Sequence, residues 1–333
     1  MSGRLGRREF IGRTLATGVG AAVLGHKAAL GQASGGKAVV VKAVRAGAVV
    51  GKEPNPKVVR EMVHAVVMKL SGKSSPADAW KCYVKPDDVV AVKINCLFGK
   101  RASTYPCVTS AVVEGIRMAG VPADKIIVWD RGSKDLEKAG YQVGKIDGVT
   151  YTAVDGDWEE EPTRFHTCEG RFAKILTRQC TALVNVPILK THVRSGITFA
   201  MKNHYGSFHN ASGAHGGRGK PAVHGGTCDP FIAELTGLDV IRKKERLIVA
   251  DALLPVANRG PMAQPQFTYA EKAIMAAVNP VAIDYVGLKM LDAQRKKMGL
   301  PGLEESGSAV CVLTAAEKGL GPADMSKIDL VTA

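Results

Sequence analysis

The cysteines of this chain lack the spacing of a local metal or cluster site. There are seven cysteines, but no two are separated as C-x-x-C. Thiolate zinc sites and local iron–sulfur signatures depend on such closely spaced pairs. We therefore expect no thiolate zinc site and no iron–sulfur cluster. Because seven is odd, at least one thiol stays outside any disulfide within the chain, and the pairing of the others is left open.

The signatures of nucleotide and nucleic-acid binding are missing as well. The chain contains neither a phosphate-binding loop GxxxxGK[ST] nor a dinucleotide fingerprint GxGxxG. Aromatic residues make up only 5% of the chain and the basic residues are scattered, so no platform for stacking bases is visible. We expect no nucleic-acid partner.

The N-terminus carries the features of an export signal. Arg7 and Arg8 precede Phe10, an apolar run follows over 15–24, and the small residues at 31 and 33 suit a cleavage site. We predict that residues 1–33 are a twin-arginine signal peptide, which makes the twin-arginine export machinery a partner and the mature protein periplasmic or exported. The alternatives are an ordinary amphipathic helix and an uncleaved anchor.

The apolar run of this leader is shorter than the roughly 20 residues that a spanning helix needs, so we expect no stable membrane span after cleavage. Residues 34–333 would then form a single α/β domain. The whole chain carries a formal net charge of +14. The leader holds five basic and one acidic side chains, so the remainder carries +10. This excess favours an acidic partner, and we expect a small anionic molecule.

Apolar runs of strand length alternate with segments of helical periodicity along the chain. This alternation predicts an α/β fold with a mostly parallel sheet flanked by helices, and a β-rich or irregular insertion around 145–178. The predicted strands are 38–44, 88–95, 125–130, 182–187, 246–251, 273–278 and 327–331. The predicted helices are 56–70, 106–118, 231–243, 280–291 and 309–318, with a short one ending near 140.

In such sheets, ligands bind beyond the carboxyl ends of the strands. Polar residues at the predicted strand ends are therefore candidates for a ligand-binding cleft. They are Lys93, Asn95, Asp130, Asn185, Lys190, His192 and Asp251.

Several sequence blocks are similar to a known family in their order and spacing. The blocks are VAVKINC (90–96), TYPCVTSAVVEGIRMAG (104–120) followed by KIIVWD, VNVPILKTH with GITFAMKNHYG, and IVADALLPVANRGP followed by AAVNPVAIDYVGLKML. From about 39 to 331 the chain resembles the "domain of unknown function 362" family. Many relatives are fused to ferredoxin-like modules. This chain lacks their cysteine clusters, so the resemblance implies no electron-transfer role. It points to site residues in these blocks without fixing a reaction.

Histidines are concentrated in one part of the chain. Five of the eight fall between 192 and 224, in or near a glycine-rich segment. Imidazole suits divalent transition metals, so we consider a metal site formed by His192, His204, His209 and Asp284. The alternative is a basic loop with solvated histidines, in which Asp284 is a stabilising acid in the first turn of a helix.

Lysines in the family-like blocks indicate an anion site. Lys202 and Asn203, with Thr198, could hold a carboxylate or phosphate. A buried lysine near other cations has a lowered pKa, and with a histidine it can exchange protons with a substrate. We assign catalytic roles to Lys190, His192, Lys202 and Asp251. Ligand binding is assigned to the remaining strand-end residues, to Thr198 and Asn203, and to Gly260 in the loop after Asp251.

These observations predict an exported enzyme that uses a metal or Lys/His acid–base chemistry on a small anionic substrate. The alternative is a periplasmic protein that binds a metal or an anion without chemistry.

Overall fold

The computed structural model describes residues 36–165, 168–209 and 228–333. The predicted signal peptide lies outside the described residues, as do His215 and His224. The predictions for these segments therefore stay predictions.

Strands and helices alternate along most of the described chain. The strands are β1 Ala38–Val44, β2 Val49–Val50, β3 Glu53–Pro54, β4 Val90–Ile94, β5 Ile126–Asp130, β6 Gly144–Ile146, β7 Val149–Ala153, β8 Thr163–Arg164, β9 Glu169–Gly170, β10 Ala182–Val186, β11 Ile188–His192, β12 Gly196–Thr198, β13 Glu245–Val256, β14 Ala273–Ala277 and β15 Ile328–Thr332. The helices are α1 Pro56–Ser71, α2 Pro76–Lys81, α3 Pro106–Met118, α4 Ser133–Ala139, α5 Ala200–Asn203, α6 Phe231–Gly237, α7 Asp239–Arg242, α8 Pro280–Lys297 and α9 Val310–Glu317.

Eleven of these strands form one mixed sheet. Nine of them follow the order β15-β1-β14-β13-β10-β4-β5-β7-β6, and the β11–β12 hairpin joins the sheet through β13. The central neighbours β13, β10, β4, β5 and β7 are parallel, whereas β14 is antiparallel to both β1 and β13. The predicted α/β fold with a mostly parallel sheet is confirmed.

Helices cover both faces of the sheet. Val41 packs in a core cluster with Val63 of α1 and Val112 of α3. Its neighbour Val40 packs in a second cluster, with residues of α8 and α9. Adjacent strand residues point to opposite faces, so one strand serves both cores. None of the described helices has the length and apolar content needed to cross a membrane.

Local signals set the ends of the long helices. The Asn55 side chain accepts a hydrogen bond from the backbone N–H of Lys57, and Pro56 takes the first position of α1. Such a cap satisfies a backbone donor that has no partner within the helix. Gly72 ends α1 at φ +70°, a conformation that costs glycine little. Asn279 and Pro280 begin α8 in the same way.

Some elements differ from the prediction. Within 145–178, β7 pairs in parallel with β5 and so belongs to the main sheet, while β8 and β9 form a separate small hairpin. The helix predicted over 231–243 is divided at Leu238, whose extended backbone separates α6 from α7. The β11–β12 hairpin is a further strand pair that the apolar pattern did not indicate.

Candidate functional site

A cavity of about 450 Å³ opens beyond the carboxyl ends of β4 and β5. The β11–β12 hairpin and the helix α5 form the rest of its polar wall. Seven of the predicted site residues line it together: Asn95, Asp130, Lys190, His192, Thr198, Lys202 and Asn203. The sheet topology thus brings side chains that are up to 108 positions apart in sequence to one site.

The ammonium group of Lys190 is fixed by three oxygen acceptors. Its Nζ donates to Asn95 Oδ1 at 3.1 Å, to the Leu97 carbonyl at 3.4 Å and to the Ala102 carbonyl at 2.5 Å. Burial, followed by the nearby charge of Lys202, lowers the pKa of Lys190 to about 7. The three acceptors favour the charged form and oppose this shift. Lys190 therefore serves best as a positioned cation.

Lys202 is buried in the cavity wall without such acceptors. Its Nζ lies 3.9 Å from the centre of the Tyr205 ring, a cation–π contact. Within the described ranges, no hydrogen bond or ion pair reaches this ammonium. Burial lowers the pKa of Lys202 to about 8. This lysine is therefore able to lose or gain a proton near neutral pH.

Thr198 adds a second polar group without a partner. It stands opposite Lys190 in the β11–β12 pair, so both side chains point to the same face of the hairpin. The Thr198 hydroxyl is buried and has no hydrogen-bond partner within 36–165, 168–209 and 228–333. Buried hydroxyls nearly always have one, so the Thr198 hydroxyl is able to bond a group in the cavity that it lines.

A buried ion pair supports one side of the cavity. Lys93 Nζ lies 2.7 Å from Asp130 Oδ1, and Asp130 Oδ2 accepts the backbone N–H of Cys96 at 2.6 Å. Gly206 packs directly on this pair. A β-carbon at Gly206 would clash with Asp130 Oδ1 and would lie 2.7 Å from Lys93 Nζ. Position 206 therefore requires glycine, because the Lys93 and Asp130 side chains approach its backbone closely.

A buried hydrogen-bond network beside the cavity holds the helix α5 in position. Asn203 Nδ2 donates to Asn185 Oδ1 at 2.8 Å, and Asn185 Nδ2 donates to Glu245 Oε2 at 2.8 Å. The same Glu245 oxygen lies 2.8 Å from Nε2 of His204. Asn203 also accepts from Asn95 at 3.2 Å, which joins the network to the cavity wall. Asn185 and His204 are buried in this network and do not line the cavity.

His192 lies at the end of β11, with one ring nitrogen occupied by the backbone. Its Nδ1 accepts the N–H groups of Arg194 and Ser195 at 3.1 and 3.3 Å. A nitrogen that accepts two N–H groups is unprotonated, so Nε2 carries the hydrogen of the neutral ring. His192 also lines the cavity.

The sequence profile of a family described as a domain of unknown function, DUF362, matches residues 90–289, which is more than half of the chain. The chain belongs to the DUF362 family. All residues that line the cavity lie inside the matched region. The chain is also similar to a Thermotoga maritima protein, a Northeast Structural Genomics Consortium target with a crystal structure. The two share 9% sequence identity and superimpose with a TM-score of 0.39. The alignment covers 76% of this chain and 61% of that chain. No curated protein matches the chain significantly.

Two predicted acids of this DUF362 protein lie away from the cavity lining. Asp251 accepts the N–H groups of Tyr105 and Leu253 at 2.9 and 3.0 Å, and burial raises its pKa to about 6. Asp284 accepts the N–H groups of Ala200 and Met201 at 2.7 and 3.2 Å, and burial raises its pKa well above the usual range. Both carboxyl groups hold backbone segments in place around the site.

Gly260 is a packing position beside the cavity. A β-carbon on it would clash with the Thr191 carbonyl, and its N–H donates to Thr191 Oγ1 at 3.1 Å. The close approach brings the following residue, Pro261, into the cavity wall. Gly260 thus shapes the cavity through its backbone.

The residues predicted as metal ligands are not brought together. Among the described residues of this DUF362 protein, no group of three or more His, Cys, Asp or Glu side chains is placed to hold a metal ion. His204 contacts Glu245 in the buried network, and His209 is exposed with its ring 5.5 Å from that of Trp158. A metal site that includes His215 or His224 stays a prediction.

Sequence reasoning missed about half of the cavity wall. The missed residues are Leu97, Phe98, Arg131, Asp135, Val193, Arg194, Tyr205, Gly206 and Pro261. Two of them, Arg131 and Val193, directly follow predicted strand-end residues, and that adjacency was the one available signal. Asp135 is half-buried, and its pKa is raised by burial and by the charge of Asp130.

Proposed function

We propose that this DUF362 protein binds a small molecule through an anionic group at Lys202 and acts on it by proton transfer. The observation that carries the proposal is the buried Lys202 ammonium, which no described oxygen contacts. A buried charge is costly unless an opposite charge or hydrogen-bond acceptors compensate it. A carboxylate or phosphate oxygen at this position would supply both.

The charges around the cavity support an anion over a cation. Four lysine and arginine side chains line it, against two carboxyl groups. One of the two, Asp130, is already neutralised by Lys93, which lies behind the wall. The ligand therefore meets a surplus of positive charge, and the Thr198 hydroxyl offers a hydrogen bond beside it.

Proton transfer is supported by the state of the same lysine. A pKa of about 8 means that the Lys202 ammonium, which is charged when it holds the anionic group, can give up its proton to the ligand near neutral pH, as a general acid does. His192, which also lines the cavity, is the second candidate for proton exchange. An enzyme in which Lys202 binds the anionic group and donates a proton to it fits these positions.

A second candidate function is binding without chemistry, and Lys190 favours it. Its three oxygen acceptors occupy all three ammonium hydrogens and leave this cation fixed. The positive charge of Lys190, together with the Lys202 ammonium and the Thr198 hydroxyl, is sufficient to capture an anion.

Titration with inorganic phosphate and with acetate tests the binding step. Lys202→Met keeps the chain length without the charge, and Thr198→Val keeps the shape without the hydroxyl. We expect Lys202→Met to abolish detectable binding and Thr198→Val to weaken it roughly fivefold to tenfold, the value of one hydrogen bond. The exposed Lys318, changed to Met, is the matched control. Equal affinity of Lys202→Met and wild type contradicts the proposal.

Proton transfer has a separate test. The protein is incubated in D₂O with each acid that it binds, and NMR follows deuterium at the carbon next to the acid group. Exchange that is lost in His192→Gln while this variant still binds the acid supports an enzyme. Binding without exchange supports the second candidate.

A further inference from the structure

The mouth of the cavity is lined by exposed apolar side chains. Leu97, Phe98 and Val193 all contribute to the wall, and their exposed fractions are 46%, 45% and 71%. Met262, which follows the wall residue Pro261, is 53% exposed. Nine large apolar side chains are exposed in the described part of the chain, and three of them line this one cavity. We call Leu97, Phe98 and Val193 the apolar rim.

The backbone under the apolar rim is held in place. Phe98 has φ +82°, a conformation that costs a bulky residue of order 1 kcal/mol or more and that persists only where its surroundings enforce it. Here the Lys190 ammonium donates to the carbonyls of Leu97 and Ala102 on both sides of the turn. The Ser103 hydroxyl donates to the Gly99 carbonyl at 2.7 Å.

The other side of the rim is attached in a similar way. The Val193 N–H donates to the Gly260 carbonyl at 3.2 Å, next to the wall residue Pro261. Exposed apolar side chains on fixed backbone, at the opening of a charged cavity, are typical of a ligand-binding surface. The apolar rim also lies close to a buried cation, because Lys190 Nζ is 5.9 Å from the centre of the Phe98 ring.

We infer that the ligand is an amphipathic acid, whose anionic group lies at Lys202 and Thr198 and whose aliphatic or aromatic body lies against the apolar rim. This inference rests on the proposed anion site and adds the chemical class of the ligand. A purely polar acid would leave the rim in water. An apolar substituent would remove rim and substituent surface from water together.

The experiment compares acids that share a carboxylate and differ in their apolar part: acetate, butanoate, hexanoate and phenylacetate. Ligand-observed NMR titration of the purified protein gives each dissociation constant. We expect affinity to rise by up to roughly fourfold for each methylene that is buried. Phenylacetate should bind roughly tenfold or more tighter than acetate.

A rim variant separates the two parts of the site. Phe98→Asn removes the ring with a residue that tolerates positive φ, and Val193→Thr replaces a methyl by a hydroxyl at nearly constant shape. The double variant should lose the preference for phenylacetate and keep the wild-type affinity for acetate. Val143→Thr, an exposed apolar residue outside the cavity lining, should change neither.

The outcomes distinguish this inference from the proposal beneath it. Equal binding of acetate and phenylacetate by the wild type, or an unchanged preference in the rim variant, overturns the inference and leaves the anion site standing. Failure of the protein to bind any of the four acids or phosphate overturns the proposed function and the inference with it.

Discussion

The Nζ atom of Lys202 lies 3.9 Å from the centre of the Tyr205 ring. The ring face attracts the ammonium, but it replaces the lost hydration only in part. Within the described residues, the ammonium has no oxygen partner. The protein thus keeps a costly charge at the place where an anionic ligand would stabilise it.

Removal of this charge should stabilise the unliganded protein. We expect Lys202→Met to raise the free energy of unfolding at pH 7 by roughly 1 kcal/mol or more, because the buried charge is lost and the chain length is kept. The lowered pKa means that the unfolded chain binds more protons between about pH 8 and 10.5, so the wild type gains stability over that range. Urea unfolding should therefore show the gap between variant and wild type shrinking from pH 8 to pH 10. A gap that does not change with pH contradicts this explanation.

The Lys93–Asp130 pair should behave in the opposite way. Asp130→Asn leaves a fully buried ammonium without its counter-charge, and we expect a loss of about 3 to 5 kcal/mol in the free energy of unfolding. Lys93→Met combined with Asp130→Asn should recover most of that loss, because neither charge remains. The exposed Lys243–Asp239 ion pair serves as the control, and Asp239→Asn should change the free energy of unfolding little. Equal losses in the single and double variants would show that the pair is not the cause.

Gly206 should tolerate no side chain. Gly206→Ala places a β-carbon against both members of the Lys93–Asp130 pair, so we expect a destabilisation of roughly 1 to 3 kcal/mol and weaker acid binding. In Gly237→Ala the added β-carbon meets only Leu320, at 3.5 Å, an ordinary packing distance. Urea unfolding of the two variants checks this, and similar stabilities would contradict the close packing at Gly206.

Asp251 should affect stability and not ligand affinity. It holds two backbone N–H groups and does not line the cavity, so Asp251→Asn should lower the free energy of unfolding and leave acid affinity unchanged. Its raised pKa also predicts that this carboxyl lowers stability as the pH rises from about 4 to 6, since the folded state there holds more protons. The Asn variant should lack that fall. A large loss of affinity in it would restore Asp251 as a ligand-binding group.

Metal removal should leave the anion site intact. The proposed site uses the ammonium of Lys202 and the hydroxyl of Thr198, neither of which needs a metal ion to bind an anion. Dialysis against a chelator, with elemental analysis before and after, should therefore leave the affinity for phenylacetate unchanged. A loss of affinity that zinc or nickel restores would favour the histidine hypothesis, including His215 and His224.

The strand ends were predictable because buried parallel strands leave clear apolar runs. The polar residues after β4 and β5, such as Asn95 and Asp130, could therefore be placed at one edge of the sheet. The β11–β12 hairpin was not predictable, because Pro187 interrupts the apolar run and β12 has three residues. The roles of Asp251 and Asp284 depend on contacts 146 and 84 positions away, and an apolar pattern contains no such information.

The apolar rim was missed for a different reason. Leu97 and Phe98 lie in a short loop, where apolar side chains carry no periodicity and where burial is decided by the fold around them. Tyr205 was likewise indistinguishable from a core aromatic until the position of α5 was known.

The pKa of Lys202 in the folded protein tests the proposed anion site most directly. Lysine labelled with ¹³C at Cε gives one NMR signal per side chain, and Lys202→Met identifies the signal of Lys202. We predict a pKa near 8 in the free protein. Saturation with phenylacetate should raise it by about one unit or more, because a bound anion favours the ammonium. An ordinary lysine pKa near 10.5 that does not change with any of the acids would contradict an anion site at Lys202.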